Sequence, residues 1–302
     1  MATSKRGDAG GAGGVSDHAF TELRPAMFAL AYRITGSRAD AEDIVQEAFL
    51  RFHRAAPEDA VQSLKAYLTT ITARLSFNRL RDQHARRETY IGEWLPEPLS
   101  TKDVPVRAED VSFALLVVLE RLSPLERVVF VLRNAFDFSF EEIAPVVERD
   151  VVTCRKIFSR ARARVAQERP RFTVDRERHR ALMLGFLQAA RGQDMAALVS
   201  LLDDNVVLHG DGGGKALALK QAVVGSSAVA RFIIAITQKL PPDATVEEIE
   251  LNGATGLVAK AGGRIVVAIM IDTDGERIRS VFAISNPDKL EAIAPVASGA
   301  TI

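Results

Sequence analysis

Arg155, Lys156, Ser159 and Arg160 have the residue types and the spacing to read a nucleic-acid duplex. On a helix they fall on or beside one face, while Cys154, Ile157, Phe158 and Ala161 can turn inward. Arg and Lys donors fit guanine edges and phosphate oxygens, and Arg162 and Arg164 extend the positive surface. A second group is Tyr67, Arg74, Asn78, Arg79 and Arg81, continued by Arg86 and Arg87 and interleaved with Phe77 and Tyr90. Cations among rings suit separated strands, whose bases stack on aromatic faces, although Tyr67 and Phe77 also fit a core. A third group is His209, Asp211 and Lys215, with Gly212, Gly213 and Gly214 between the last two. An Asp in an apolar pocket can serve as a base. The glycines fit a tight loop better, because they supply unusual backbone angles, and no catalytic residue is expected. The 5 histidines are scattered and there is 1 cysteine, so no metal-ligand spacing appears and no cofactor is implied. Cys154 falls on the inward face, where a thiol is inert.

These groups need elements to hold them. A length of 302 residues, 47% hydrophobic and 26% charged, suits a soluble chain of two or three domains. Basic and acidic residues balance at 39 each, which excludes a uniformly basic coat but not a local patch. Such a patch exists: Val151 to Arg180 holds 10 basic residues against 3 acidic ones. A single cysteine excludes an intrachain disulfide and fits a reducing compartment. No apolar run approaches the roughly 20 residues that span a bilayer, and residues 1–15 read as a Gly-rich tail without the apolar core of a secretory signal.

The first half of the chain reads as helices. Phe20, Leu23, Met27, Leu30 and Ile34 recur at helical spacing and Gly36 can end that helix. A second helix, about Ala39 to Arg54, opens with Asp40, Glu42, Asp43 and Glu47, which suit its positive end. Leu64, Leu68, Ile71 and Leu75 mark a third. Residues 88–110, with Trp94 and three prolines, read as a linker. Ser123-Pro124-Leu125-Glu126 and Ser139 with Glu142 are capping boxes. Helices over Phe140–Val147 and Val151–Val165, joined at Asp150, have the form of a helix-turn-helix, although Pro145 should bend the first. The second half mixes a helix near Arg180–Arg191, a strand pair near Val206–His209 and Ala216–Leu219, a helix over Ser226–Lys239, and four strands punctuated by Asn252-Gly253, Gly262-Gly263 and Asp274-Gly275.

The stretches Asp40–Ala55, Leu64–Asp82 and Leu119–Val165 resemble conserved regions of bacterial sigma factors of the extracytoplasmic-function group. The Ser-Pro-x-Glu-Arg, Glu-Glu-Ile-Ala and Ser-Arg-Ala-Arg segments carry most of that likeness. Trp94-Leu95-Pro96-Glu97-Pro98, Asp211–Lys215 and Asn286-Pro287-Asp288-Lys289-Leu290 resemble the signatures of one class within the group, which carries a C-terminal SnoaL-like domain of the NTF2-like superfamily. The resemblance implies two all-α domains, a region 2 bundle (16–87) and a region 4 helix-turn-helix (111–169), with the linker between them. An α+β cone with a curved antiparallel sheet follows (170–302). It implies a cytoplasmic protein whose partners are RNA polymerase core, through its β and β′ subunits, and promoter DNA.

The resemblance also distributes roles. Asp43, Gln46 and Glu47 would meet polymerase. Tyr67, Arg74, Asn78, Arg79 and Arg81 would melt the minus-ten element, and Arg155, Lys156, Ser159 and Arg160 would read the upstream element. Trp94, Asp211–Lys215 and Asn286–Leu290 would regulate in cis, the last two touching the sigma domains or the linker, and the cone leaves room for a small-molecule ligand. Two other classes fit parts of the pattern: a helix-turn-helix regulator that never binds polymerase, and an NTF2-like enzyme fused to a DNA-binding module.

Overall fold

The structure is a computed structural model that describes residues 11–55, 64–87, 90–100, 112–168, 175–216, 219 and 221–293, with backbone alone at 11–19, 55, 85–87, 168 and 292. The side chains of Arg86 and Arg87 and linker residues 101–110 therefore lie outside the described residues. Helix α1 (Gly11–Thr35) reaches back into the stretch read as a tail. It stops at Gly36, whose φ of +72° few side chains tolerate. The Ser37 hydroxyl then accepts the Asp40 amide at 3.2 Å and starts α2 (Arg38–Ala55). Ile44, Val45, Ala48 and Phe52 of α2 bury against Phe28 and Tyr32 of α1 and Leu68 of α3 (Leu64–Arg87).

The next helices are α4 (Phe113–Glu120), α5 (Pro124–Ala135), α6 (Phe140–Val147) and α7 (Val151–Glu168). Both capping boxes form, at Ser123 with Glu126 and at Ser139 with Glu142. Glu148 ends α6 in the left-handed conformation. The Asp150 carboxylate accepts the Thr153 amide at 2.8 Å and caps α7. Pro145 does not break α6, because its ring lies on the exposed side of a helix only 8 residues long. Leu30, Ile34, Ala73 and Leu80 of α1 and α3 share one continuous core with α5, α6 and α7, including Val128, Leu132, Ile143, Val146, Cys154 and Ile157. The two helical domains are thus packed on each other.

The C-terminal domain comprises α8 (Arg176–Arg191), α9 (Met195–Leu201), β1 (Leu202–Asp211), β2 (Val223–Val224), α10 (Ser226–Thr237), β3 (Thr245–Leu251), β4 (Ala254–Ala261), β5 (Arg264–Thr273), β6 (Ile278–Ile284) and α11 (Pro287–Leu290). The sheet order is β2-β1-β6-β5-β4-β3. Two expectations need correction. The sheet is mixed, since β1 runs parallel to β6, with His209 opposite Phe282 and Asp211 opposite Ile284. These strands are joined through α10 and the β3–β6 meander, so no hairpin turn imposes an antiparallel pairing. The strand beside β1 is Val223–Val224 and not Ala216–Leu219. Ala216 and Leu219 are outside any strand, and 217, 218 and 220 lie outside the described residues.

Helices α8, α9 and α10 fill one face of the sheet with Met183, Phe186, Leu198, Val229 and Ile233, packed on Val206, Leu208, Ile271 and Val281. The other face is covered from outside the domain. Phe113 and Val117 of α4 and Leu95 of the linker pack on Val258, Met270, Phe282 and Ile284, and the Phe113 and Phe282 rings lie 5.3 Å apart.

Candidate functional site

Residues 90–100 run as an extended strip between α1 and the C-terminal sheet. At its centre the Asp211–Lys289 pair holds Leu95 of the strip by both of its backbone polar groups, in the two peptide units that flank its Cα. Asp211 Oδ2 accepts the Leu95 amide at 2.9 Å. Lys289 Nζ meets the same Oδ2 at 2.7 Å and donates to the Leu95 carbonyl. Both side chains are buried, at 0% and 3% exposure. The Lys289 ammonium also lies over the Trp94 ring, 3.5 Å from its centroid, and 5.3 Å from that of Tyr90, a cation–π cage. Burial lowers the Lys289 pKa, and the Asp211 charge opposes that shift. The Tyr90 hydroxyl donates to Asp211 Oδ1 at 2.5 Å and accepts Asn286 Nδ2 at 2.9 Å. Its pKa is pushed up, first by burial and then by that carboxylate.

The glycine-rich loop makes this geometry possible. Gly213 donates its amide to Asp211 Oδ1 at 3.1 Å with φ +62°, and a Cβ there would overlap the Asn286 side-chain amide. Gly213→Ala is therefore expected to lower stability by about 1–3 kcal/mol through backbone strain alone, read as a lower urea midpoint at unchanged m. Asn286 also caps α11, accepting the Asp288 amide at 3.1 Å, which aims Lys289 at the linker. Lys215 pairs with Asp288 at 2.5 Å on the surface. Gly214 lies against Ile91 of the strip, Pro287 is exposed on α11, and Leu290 is buried beside Leu95. His209 is placed away from Asp211's partners. Its Nδ1 meets Glu93 of the strip at 2.7 Å and its ring stacks on Phe282.

A second junction ties the strip to α1. The Tyr32 hydroxyl donates to the Glu97 carbonyl at 2.6 Å and accepts Asn252 Nδ2 at 2.9 Å. Asn252 Oδ1 accepts the Leu99 amide at 2.9 Å. The Glu97 carboxylate accepts the Arg38 amide at the start of α2; burial raises its pKa, and the Arg38 bond and Ser37 lower it. Beside this junction Arg127 of α5 is 1% exposed. It pairs with Glu120 at 2.6 Å and donates Nε to the Arg33 carbonyl of α1 at 3.0 Å. Gly36 packs so closely on the pair that a Cβ would stand 2.8 Å from Glu120 Oε1.

The face of α7 expected to read DNA is open: Arg155, Lys156, Ser159 and Arg160 are all exposed. Arg155 pairs with Glu141 at 3.2 Å. The α3 group is more committed. Tyr67 packs toward Phe52 in the first helical domain. Arg74 donates to the Pro145 carbonyl of α6 at 3.4 Å. Arg79 bridges to Asp40 at 3.0 Å and to Asp43 at 3.7 Å. Arg81 lies over Phe77, and Asn78 is exposed. Of the α2 group, Asp43 and Gln46 are exposed, and Glu47 pairs with Arg51 at 2.7 Å.

The residues that sequence reasoning missed as site residues are Tyr32, Tyr90, Glu97, Glu120, Arg127 and Asn252. Asn252 was legible only as a hairpin turn, and Tyr90 only as a ring among cations. Cys154 is buried, and burial raises its thiol pKa, as its inward position implied. Among the described residues there is no group of three His, Cys, Asp or Glu placed to hold a metal ion, and no helix is long and apolar enough to cross a membrane.

Residues 19–86 match the family Sigma-70 region 2, and residues 112–165 match Sigma-70, region 4. The extracytoplasmic-function (ECF) RNA polymerase sigma factor SigJ of Mycobacterium tuberculosis is 39% identical over 289 residues, covering 89% of this chain and 91% of the relative. The probable ECF sigma factor SigI of the same species is 34% identical over 184 residues, covering 59% and 63%. The crystal structure of M. tuberculosis SigJ superposes with a TM-score of 0.73 at 35% identity, covering 92% of this chain and 99% of that one.

Proposed function

Because the chain belongs to the extracytoplasmic-function family of RNA polymerase sigma factors, we propose that its C-terminal domain controls promoter use in cis by holding the linker and both sigma domains in one closed arrangement. The observation that carries this is the buried Asp211–Lys289 pair bound to both the N–H and the C=O of Leu95. A linker peptide held on both sides fixes where the two sigma domains meet. In that arrangement Ala73 and Leu80 of α3 are buried against region 4 and Arg74 is turned to Pro145. The helix assigned to the minus-ten element is therefore partly covered. Opening would uncover it, and polymerase core, meeting Asp43, Gln46 and Glu47 through its β and β′ subunits, would stabilise the open form by binding it alone.

Upstream recognition falls to Arg155, Lys156, Ser159 and Arg160, all four exposed on α7. Tyr67, Asn78 and Arg81 serve opened DNA, where a pocket and stacking offset the cost of unstacking a base. Arg79 joins them once its two carboxylate partners release it. We assign the chain to the cytoplasm with its polymerase partner and assign it no turnover. The one candidate base, Asp211, is committed to Lys289, Tyr90 and Leu95. Arg160→Ala is expected to weaken the upstream element by about 1–3 kcal/mol, the worth of a good base contact. Competition binding of the holoenzyme to promoter duplexes altered one base pair at a time measures it. Equal binding by wild type and variant removes Arg160 from the reading set.

A further inference from the structure

We infer that Glu141, on α6 and outside the reading helix, is a positioning residue that sets the sequence specificity of Arg155. The inference rests on the reading of α7 as the duplex-reading helix. Glu141 Oε1 lies 3.2 Å from Arg155 Nη2, with both side chains more than half exposed. The same guanidinium sits 5.7 Å from the centroid of the Phe140 ring. That ring is itself held in place. It meets Phe158 edge-on at 5.8 Å, and Phe158 stacks on Phe130. Arg133 covers Phe140 as well, at 5.3 Å, and is anchored on the Phe138 carbonyl at 2.9 Å. Arg155 thus rests on a fixed aromatic platform with one amino group tied to a carboxylate.

The other acids of this motif have structural duties. Glu142 completes the α6 capping box and Asp150 caps α7. Glu141 serves neither cap. Its place beside an exposed arginine has two consequences. Occupying Nη2 leaves the opposite edge of the guanidinium fork free and directed, which is the arrangement a bidentate contact to guanine O6 and N7 requires. A carboxylate next to the groove also repels the nearest phosphate, so Arg155 is discouraged from a backbone contact that carries no sequence information. An exposed pair of this kind contributes little to stability, so removing it should alter recognition without unfolding the domain.

The test uses the full chain as wild type, Glu141→Gln, Glu148→Gln and Arg160→Ala. Each is measured on random-sequence duplex across a salt series, and each is used to select binders from a randomised duplex pool. Glu141→Gln is expected to steepen the salt dependence on random duplex by about 0.9 in slope, one added phosphate contact. It should also lose about fivefold or more of its preference at one base pair of the selected site. Glu148→Gln, an exposed acid in the turn that does not touch Arg155, should keep the wild-type preference. Unchanged preference in Glu141→Gln, or an equal loss in Glu148→Gln, overturns the inference while leaving the α7 reading intact. Arg160→Ala should lose its preference at a different base pair; if the wild type itself selects no common site, α7 does not read duplex, and the inference fails with its premise.

Discussion

Asp211→Ala is expected to free residues 90–100 from the C-terminal domain and to be among the most damaging single changes in the chain. The substitution takes from the Lys289 ammonium, 3% exposed, the carboxylate it contacts, leaving only the more distant charges of Glu97 and Glu120. It also takes the acceptor from the Leu95 amide and from the Tyr90 hydroxyl. Removing one partner of a buried ion pair costs about 3–5 kcal/mol, because the other is left uncompensated. Lys289 has one escape: burial already lowers its pKa, so it can shed its proton, and the loss should be smaller at alkaline pH. Lys289→Met in the Asp211→Asn background removes both charges while keeping an acceptor for Leu95. It should recover most of the stability, since replacing a buried pair by apolar groups is often neutral. Limited proteolysis reads the outcome directly, with new cleavage within 90–100 in Asp211→Ala and much less in the double variant. Cleavage as slow as in the wild type would mean that the pair does not hold the linker.

Arg127→Ala is the second large effect, and it acts between the sigma domains. Arg127 is the largest fully buried side chain among those described, yet its work is electrostatic: it neutralises Glu120 and caps the Arg33 carbonyl. Its loss removes the counter-charge 2.6 Å from the Glu120 carboxylate, which is 10% exposed, at about 3–5 kcal/mol, and leaves a cavity under Gly36. Arg127→Lys should not rescue, because a point charge cannot reach two acceptors as a planar fork does. The apolar seam of Leu30, Ile34, Ala73 and Leu80 would no longer be fixed against region 4. Small-angle scattering should show a larger radius of gyration, and single-stranded DNA should gain access to α3. A variant as compact as the wild type would show that the seam alone holds the domains together.

The elements were legible because each carries local signals. Ser123 and Ser139 announced their capping boxes, Gly36 its helix end, and Asn252-Gly253 its turn. The exposed basic face of α7 followed from period alone, and so did the inward placement of Cys154. What stayed hidden is non-local. The parallel pairing of β1 with β6 spans the whole meander, and no residue type encodes it. Phe113 and Val117 lie on a short apolar helix, and nothing near them signals that their partner is a sheet more than 100 residues away. Arg127 and Glu120 carry no local signal of their pairing, since their burial appears only when two domains close on them. The regulatory signatures showed the opposite pattern. Asp211, Asn286, Lys289 and the Trp94–Pro98 stretch stood out as residues, but the contact is made to the backbone N–H and C=O of Leu95, which no side-chain type specifies. Arg79 was legible as one cation of a cluster, but the two carboxylates that it bridges lie on α2, a helix away.

The most direct test adds the full chain to bacterial core polymerase on templates with randomised upstream sequence and scores the transcripts that depend on the chain. A sigma factor held closed by its C-terminal domain predicts chain-dependent transcripts that share two upstream elements, with a greater yield from Asp211→Ala than from wild type per molecule bound to core. No chain-dependent transcript from either protein, together with no co-migration of either with core polymerase, would contradict the assignment.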